Sequence, residues 1–165
     1  MKKLIISITL SLMLVAVLAA PAIAAEEEAS TSATVTVSEY VNITLSGSID
    51  FGSVEPSDSM TYEATGQSDG DPAITITVES DTNVNVDIGI KGSVTGALAL
   101  GNWQYSTTHT GTKTAIPASY GTAVYTDQGV GSYAFYHWVN VPLGTPSGAQ
   151  GCNIYYKAID TGGTF

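Results

Sequence analysis

The sequence predicts an all-β protein: a single β-sandwich of immunoglobulin-like or jelly-roll type that follows a cleaved N-terminal signal helix. Two observations support this fold class. Apolar and polar residues alternate in several short runs, and segments rich in glycine, proline and aspartate separate those runs. A period of two buries one face of each strand, as expected when two sheets pack against each other. We expect about eight to ten strands, from the spacing of such runs in sandwich folds.

The N-terminus has the features of a secretory signal peptide. Two lysines, Lys2 and Lys3, precede an apolar run, and Ala22-Ile23-Ala24 supplies the small residues that signal peptidase accepts. We place cleavage after Ala24, with cleavage after Ala20-Pro21-Ala22 as the alternative and an uncleaved membrane anchor as the other interpretation. The protein is therefore expected to be secreted, extracellular or on the cell surface, with no membrane span once residues 1–24 are removed.

The charge balance excludes some partners. Without residues 1–24 the chain has three lysines against fifteen acidic residues, a formal charge of 3 − 15 = −12, and it has no arginine. Nucleic acid and anionic lipid bind clustered cations, so neither is an expected partner. Divalent cations suit this surface better.

The first alternating run covers residues 34–46. Val35, Val37 and Val41 share one parity with the apolar residues that follow, and Glu39 interrupts that face, which predicts a break or bulge there. Two interpretations follow. Residues 33–46 form one long first strand, or residues 25–38 are an N-terminal extension, a candidate donor strand, ahead of a sandwich that spans residues 39–165.

Four further runs predict strands. Residues 74–78 and 84–90 alternate on either side of a polar turn, so they form successive strands. Residues 133–141 carry large groups on both faces, and residues 153–159 form the final strand. Eleven of the fourteen aromatic residues follow position 100, and residues 106–122 are expected to form a long surface excursion.

No catalytic motif is present. His109 and His137 have no nucleophile-elbow, zinc-binding or other local signature near them, so the chain is not expected to be an enzyme. Asp69 and Asp71 could bind calcium through hard oxygen ligands, although they also suit an ordinary turn. Asp58, Glu63 and Asp81 are the possible additional ligands.

Three other positions carry candidate sites. Asn42-Ile43-Thr44 is an N-glycosylation sequon on the polar face of its strand. The lone cysteine, Cys152, is either buried or available for pairing between molecules. Trp103 and Trp138 could stack on sugar rings, as in a carbohydrate-binding module, although aromatic residues at alternate strand positions are more often core.

Three stretches resemble exported immunoglobulin-like sandwich proteins. They are Asp50-Phe-Gly-Ser-Val-Glu-Pro56, the strand pair over 74–88, and Val141-Pro-Leu-Gly-Thr-Pro-Ser-Gly148 followed by Ile154-Tyr-Tyr156, which is similar to a last hairpin. Gln150 stands where that hairpin usually has an aromatic residue, and Ser57 replaces the glycine after Pro56. Such proteins include TasA/camelysin-like biofilm matrix fibres and archaeal bundling pili and threads, whose subunits join by donor-strand exchange.

These observations predict a non-enzymatic structural subunit of a filament, pilus or surface layer whose partner is a copy of itself. The leading strand would add to a sheet of the next subunit, with Val35, Val37 and Val41 filling apolar pockets. A head-to-tail contact of this kind does not close, so its repetition produces a filament. The alternative is a carbohydrate-binding or adhesive surface module, with glycans as partners.

Overall fold

The computed structural model describes residues 32–165. The predicted signal peptide and the first part of the extension, residues 25–31, lie outside the described residues. The chain divides into two compact units, residues 1–36 and residues 37–165. The fold below is that of the second unit.

The second unit consists of β-strands and one short 3₁₀ turn over Leu100–Asn102. In the described part of the chain, the strands are β1 (Ile43–Gly47), β2 (Thr61–Glu63), β3 (Ile74–Val78), β4 (Val86–Val94), β5 (Trp103–Ser106), β6 (Thr114–Ala115), β7 (Tyr125–Gln128), β8 (Gly131–Asn140) and β9 (Cys152–Asp160). They form two antiparallel sheets. The all-β prediction is confirmed, and the arrangement is consistent with a β-sandwich.

Strand β8 organises the larger sheet, which has six strands in the order β1-β3-β8-β5-β6, with β2 also paired to β8. One edge of β8 pairs with β3 as far as Phe135 and with β2 from Trp138 onward. The gap between these partners is closed by a side chain. The buried amide of Gln67 accepts from His137 N at 2.6 Å and donates to His137 O at 3.2 Å, so it replaces a strand residue.

The smaller sheet has three strands in the order β7-β4-β9. Strands β4 and β9 pair along their full length, from Val86 opposite Asp160 to Val94 opposite Cys152. Strand β7 pairs with β4 through an irregular register between Val86 and Ile88.

The core lies between the sheets and follows the predicted alternation. Ile76, Val86, Ile88 and Phe135 are fully buried. Across the core, the rings of Phe135 on β8 and Tyr156 on β9 pack edge to face with centroids 4.9 Å apart. Burying a side chain of this size contributes about 1.5–3 kcal/mol, so these alternate positions are the main source of stability.

The structure corrects two expectations about strand partners. The strands over 74–88 are successive in the chain, as predicted, but they do not pair with each other, because β3 belongs to the six-stranded sheet and β4 to the three-stranded one. The predicted last hairpin is wrong for the same reason, since β8 and β9 face each other across the core. Alternation determines which face of a strand is buried, but not which strand lies beside it.

Candidate functional site

An apolar groove opens at one end of the space between the sheets. Its volume is about 740 Å³. Trp103 of β5 and Val139 of β8 contribute from the six-stranded sheet, and Cys152 and Ile154 contribute from β9. The other apolar lining residues are Ile49, Phe51, Val54, Pro56, Leu98, Val141, Pro146 and Ala149, and the polar ones are Asp50, Ser53, Thr145, Ser147 and Gln150. The groove therefore reaches both sheets and the core.

Two loops form the walls of the groove. One is the segment over residues 49–56, and the other is the loop over 145–151. Gln150 fixes the second wall, because its side-chain oxygen accepts from Ala97 N at 2.7 Å and Leu98 N at 3.0 Å. Gln150, which departs from the aromatic residue of the resembled hairpin, therefore anchors that loop.

Strand β9 presents an unpaired edge beside this groove. It pairs with β4 along one edge, and within residues 32–165 no second strand pairs with the other. The strand has nine residues and contains no proline. An edge of this length displays a row of free backbone N–H and C=O groups, which is a template for another strand.

Trp103 lines the groove with an unsatisfied donor. Its indole is 7% exposed and packs edge to face on Phe51, with centroids 5.9 Å apart. The buried Nε1 of Trp103 has no hydrogen-bond partner in the described part of the chain. A buried donor without an acceptor costs about 1–3 kcal/mol, so an acceptor that reaches Nε1 would stabilise this part of the groove.

The three candidate donor residues fall into two groups. Val35 is 87% exposed and Val37 is 74% exposed, and neither lies in a strand. Val41 is half-buried and packs against the core of its own domain. The backbone beside it is tied down, since Asn83 N donates to Tyr40 O at 3.1 Å. Val41 therefore belongs to the body of the domain, and Val35 and Val37 are the exposed alternating pair.

The two tryptophans proposed for sugar stacking are both buried. Trp138 is 2% exposed and lies with Tyr136 on the outer face of the six-stranded sheet, in a stack with centroids 6.4 Å apart. The predicted surface excursion over residues 106–122 covers Tyr136 and Trp138. The His109 ring packs on both of these rings, and Lys113 Nζ lies 4.9 Å from the Trp138 ring centroid. Neither Trp103 nor Trp138 presents a free face to a sugar.

Asp69 and Asp71 lie in an exposed turn. Ser68 and Asp71 exchange two backbone hydrogen bonds of 3.0 Å, and Gly70 between them has φ +85°. In residues 32–165 no group of three His, Cys, Asp or Glu side chains converges in a way that could hold a metal ion. The geometry accounts for this pair as turn residues.

The other suggested calcium ligands are engaged elsewhere. Asp58 Oδ1 accepts from Leu143 N at 2.9 Å, Glu63 pairs with His109, and Asp81 accepts from Asn42 Nδ2 at 3.1 Å. The last contact also bears on the glycosylation prediction, because Nδ2 is the atom that would carry the glycan. Asn42 is half-buried just before β1, with that atom already hydrogen-bonded.

A polar pair inside the core was missed by sequence reasoning. His137 Nε2 lies 2.7 Å from the hydroxyl of Tyr156, which joins β8 to β9 across the sandwich. Burial lowers the pKa of His137 to about 4 and raises the pKa of Tyr156 above its usual range. The only available signal was that His137 has the same strand parity as Phe135 and Val139.

The fold and groove define a class of protein. It is an all-β protein of two antiparallel sheets that has an apolar groove at one end and, beside the groove, the unpaired edge of β9. In comparisons with protein-family models, with curated proteins and with solved structures, the chain has no match. In the described part of the chain, no helix is long and apolar enough to span a membrane.

Proposed function

We propose that this chain is an exported, non-enzymatic subunit of an extracellular filament, pilus or surface layer, joined by donor-strand complementation. Residues 33–37 of one copy enter the groove of the next copy and pair with the unpaired edge of its β9. The single observation that carries the proposal is the unpaired β9 edge beside an apolar groove. In this proposal residues 1–24 are a signal peptide and the sandwich is of immunoglobulin-like or jelly-roll type.

The complementarity of the segment and the groove supports this pairing. Val35 and Val37 are two residues apart, so in an extended strand both point to one face. Cys152 and Ile154 line the groove from alternate positions of β9 and present the matching spacing. Each valine that becomes fully buried contributes about 1.5–3 kcal/mol, and the backbone hydrogen bonds of the added strand come in addition.

The type of contact between subunits follows from the two surfaces that meet. The donor segment and the groove are different surfaces of the same chain, so the contact is heterologous. Repeating a heterologous contact without closure produces a filament. This arrangement requires no ligand, metal or catalytic residue.

The native cysteine provides a direct test. In an antiparallel pairing that sets Val35 opposite Ile154 and Val37 opposite Cys152, the mature chain carrying Val37→Cys has its new thiol facing Cys152 of the neighbouring copy. Directly opposed strand residues have Cβ atoms about 4.5–5.5 Å apart, close to the separation that a disulfide bridges. We expect mild oxidation to give a ladder of covalent oligomers on non-reducing gels.

The matched control is Thr36→Cys, which places the thiol on the opposite face of the same strand. It should form far fewer links to Cys152. Adding Cys152→Ser to the Val37→Cys chain should stop the ladder at dimers. Equal ladders from Val37→Cys and Thr36→Cys, or a mature chain that stays monomeric at high concentration, would disprove donor-strand assembly.

A further inference from the structure

The outer face of the three-stranded sheet carries a cluster of cationic and aromatic side chains. We call it the outer-face cluster; its members are Lys91, Tyr120, Tyr155, Lys157 and Phe165. Lys91 Nζ lies 4.9 Å from the Tyr120 ring centroid and 5.3 Å from that of Tyr155. Lys157 Nζ lies 6.0 Å from the Tyr120 centroid and 5.9 Å from that of Phe165. The aromatic rings thus hold two ammonium groups on one surface.

Strand register explains why these side chains meet. On β4 and β9, Lys91 pairs with Tyr155 and Gly89 pairs with Lys157, so all four positions share the outer face. Gly89 leaves room for the ring of Phe165, which stacks on Tyr120 with centroids 5.7 Å apart.

Neither lysine of the cluster has a carboxylate partner in residues 32–165. The one ion pair formed there joins His109 to Glu63 on the other sheet. Asp87, two positions before Gly89 on β4, accepts instead from Asp127 N at 2.9 Å. Two of the three lysines outside the predicted signal peptide thus converge with no carboxylate of the described residues within 4.0 Å, in a chain with fifteen acidic residues.

We propose that the outer-face cluster binds the carboxylates of Glu26-Glu27-Glu28 from the neighbouring copy. This inference rests on the proposed function, because that function brings the N-terminal extension of one copy, residues 25–38, to β9 of the next copy. It adds an electrostatic contact that strengthens and orients the insertion of Val35 and Val37. The occupant is thus a second copy of this chain.

The distances allow both contacts at once. Lys157 is three strand residues from Ile154, about 10 Å along β9. Glu28 precedes Val35 by seven residues, and an extended chain of that length spans up to about 23 Å. In the antiparallel pairing the chain before Val35 runs from Ile154 toward Lys157, so Glu26-Glu27-Glu28 can reach the cluster. Ammonium groups held against aromatic rings keep outward N–H donors for carboxylates.

The test compares assembly of the mature chain with that of Lys91→Gln/Lys157→Gln, measured by sedimentation over a range of subunit concentrations. Ion pairs at partly exposed positions are worth up to about 1 kcal/mol each, so the variant should need about a tenfold higher concentration. Salt screens the general repulsion between these acidic subunits in both chains but the ion pairs only in the parent, so raising the salt concentration should weaken assembly of the parent chain relative to that of the variant. Lys113→Gln, on the other sheet, is the matched control and should assemble like the parent.

Charge reversal identifies the occupant. Lys91→Glu/Lys157→Glu should assemble poorly, and adding lysines at Glu26, Glu27 and Glu28 of the same chain should restore assembly. The Val37→Cys link to Cys152 separates the two proposals. If the link forms but the glutamine variant assembles like the parent, the inference about the outer-face cluster is wrong. Donor-strand assembly is still supported in that case.

Two other outcomes also overturn the inference. If the link fails to form in every variant, donor-strand assembly is wrong. The inference about the outer-face cluster is then wrong as well, because it depends on that assembly. The second outcome has two parts: Glu26→Lys/Glu27→Lys/Glu28→Lys does not restore assembly of the charge-reversed cluster, and polygalacturonate binds the parent chain but not the glutamine variant. In that case the cluster binds an acidic polysaccharide instead.

Discussion

His137 on β8 and Tyr156 on β9 share a hydrogen bond of 2.7 Å that crosses the core from one sheet to the other. Because His137 is buried, its neutral form is favoured, and its pKa falls from 6.5 to about 4. The unfolded chain binds this proton at a higher pH than the folded chain does. Protonation therefore favours unfolding.

Stability should fall as the solution is acidified through this window. The contribution of His137 is fully present above pH 6.5 and is lost as the pH falls toward 4, a change of about 3 kcal/mol. Urea unfolding at several pH values measures it. His137→Gln should flatten the slope between pH 4 and 6.5, and an unchanged slope would show that other groups cause it.

Gln67 should be far more important than an ordinary glutamine. Gln67→Ala removes two hydrogen bonds to the backbone of His137 and leaves His137 N buried and unpaired, whereas His137 O still accepts from Ala64 N at 3.1 Å. We expect a loss of about 1–3 kcal/mol in the free energy of unfolding. Gln128→Ala, where the amide bonds only to the nearby Thr126 O, is the control and should cost less than about 0.5 kcal/mol. Equal losses would contradict the role of Gln67.

Gly47 at the end of β1 should not tolerate a side chain. Its φ is +99°, and an added Cβ would overlap the carbonyl oxygen of Ala73 on the adjoining strand segment. Gly66 also has a positive φ, +83°, but nothing lies within 4 Å of its Cβ position. Gly66→Ala should cost about 1 kcal/mol from backbone strain alone. Gly47→Ala should cost about 3 kcal/mol, because β1 must also shift. Thermal unfolding of the pair measures the difference, and similar melting temperatures would contradict the overlap.

Gly89 should be required for the position of Phe165. A Cβ on Gly89 would lie 2.7 Å from Cε1 of that ring. Gly89→Ala should displace Phe165 and break its stack on Tyr120, with a stability loss of about 1 kcal/mol. Two-dimensional NMR should show shifts at Tyr120 and Lys157. The control, Gly101→Ala, has nothing within 4 Å of its Cβ position and should leave those signals in place.

The alternation in the sequence was sufficient to predict several strands but not their limits or partners. The run over residues 34–46 alternates except at Glu39 and Tyr40, yet a strand begins only at Ile43, where β3 supplies a partner backbone. A strand needs hydrogen bonds to a neighbour, and periodicity contains no information about that neighbour.

Strand β8 shows the same difference between what the sequence predicts and what tertiary contacts decide. The sequence predicted large groups on both faces of residues 133–141, and both faces are buried. One face packs in the core, whereas Tyr136 and Trp138 are covered by His109 and Lys113 from the excursion. The sequence did not predict that this polar segment folds back over the sheet.

The sequence by itself determined the all-β class, the positions of β3, β4, β8 and β9, and the acidic surface, because these depend on local alternation and composition. The tertiary structure alone decided that β3 and β4 lie in different sheets, that Gln67 completes β8, and that Lys91 and Lys157 meet on one face. It also decided where the groove opens beside the edge of β9. The physical reason is that each of these features depends on contacts between residues far apart in the chain, and no local pattern encodes them.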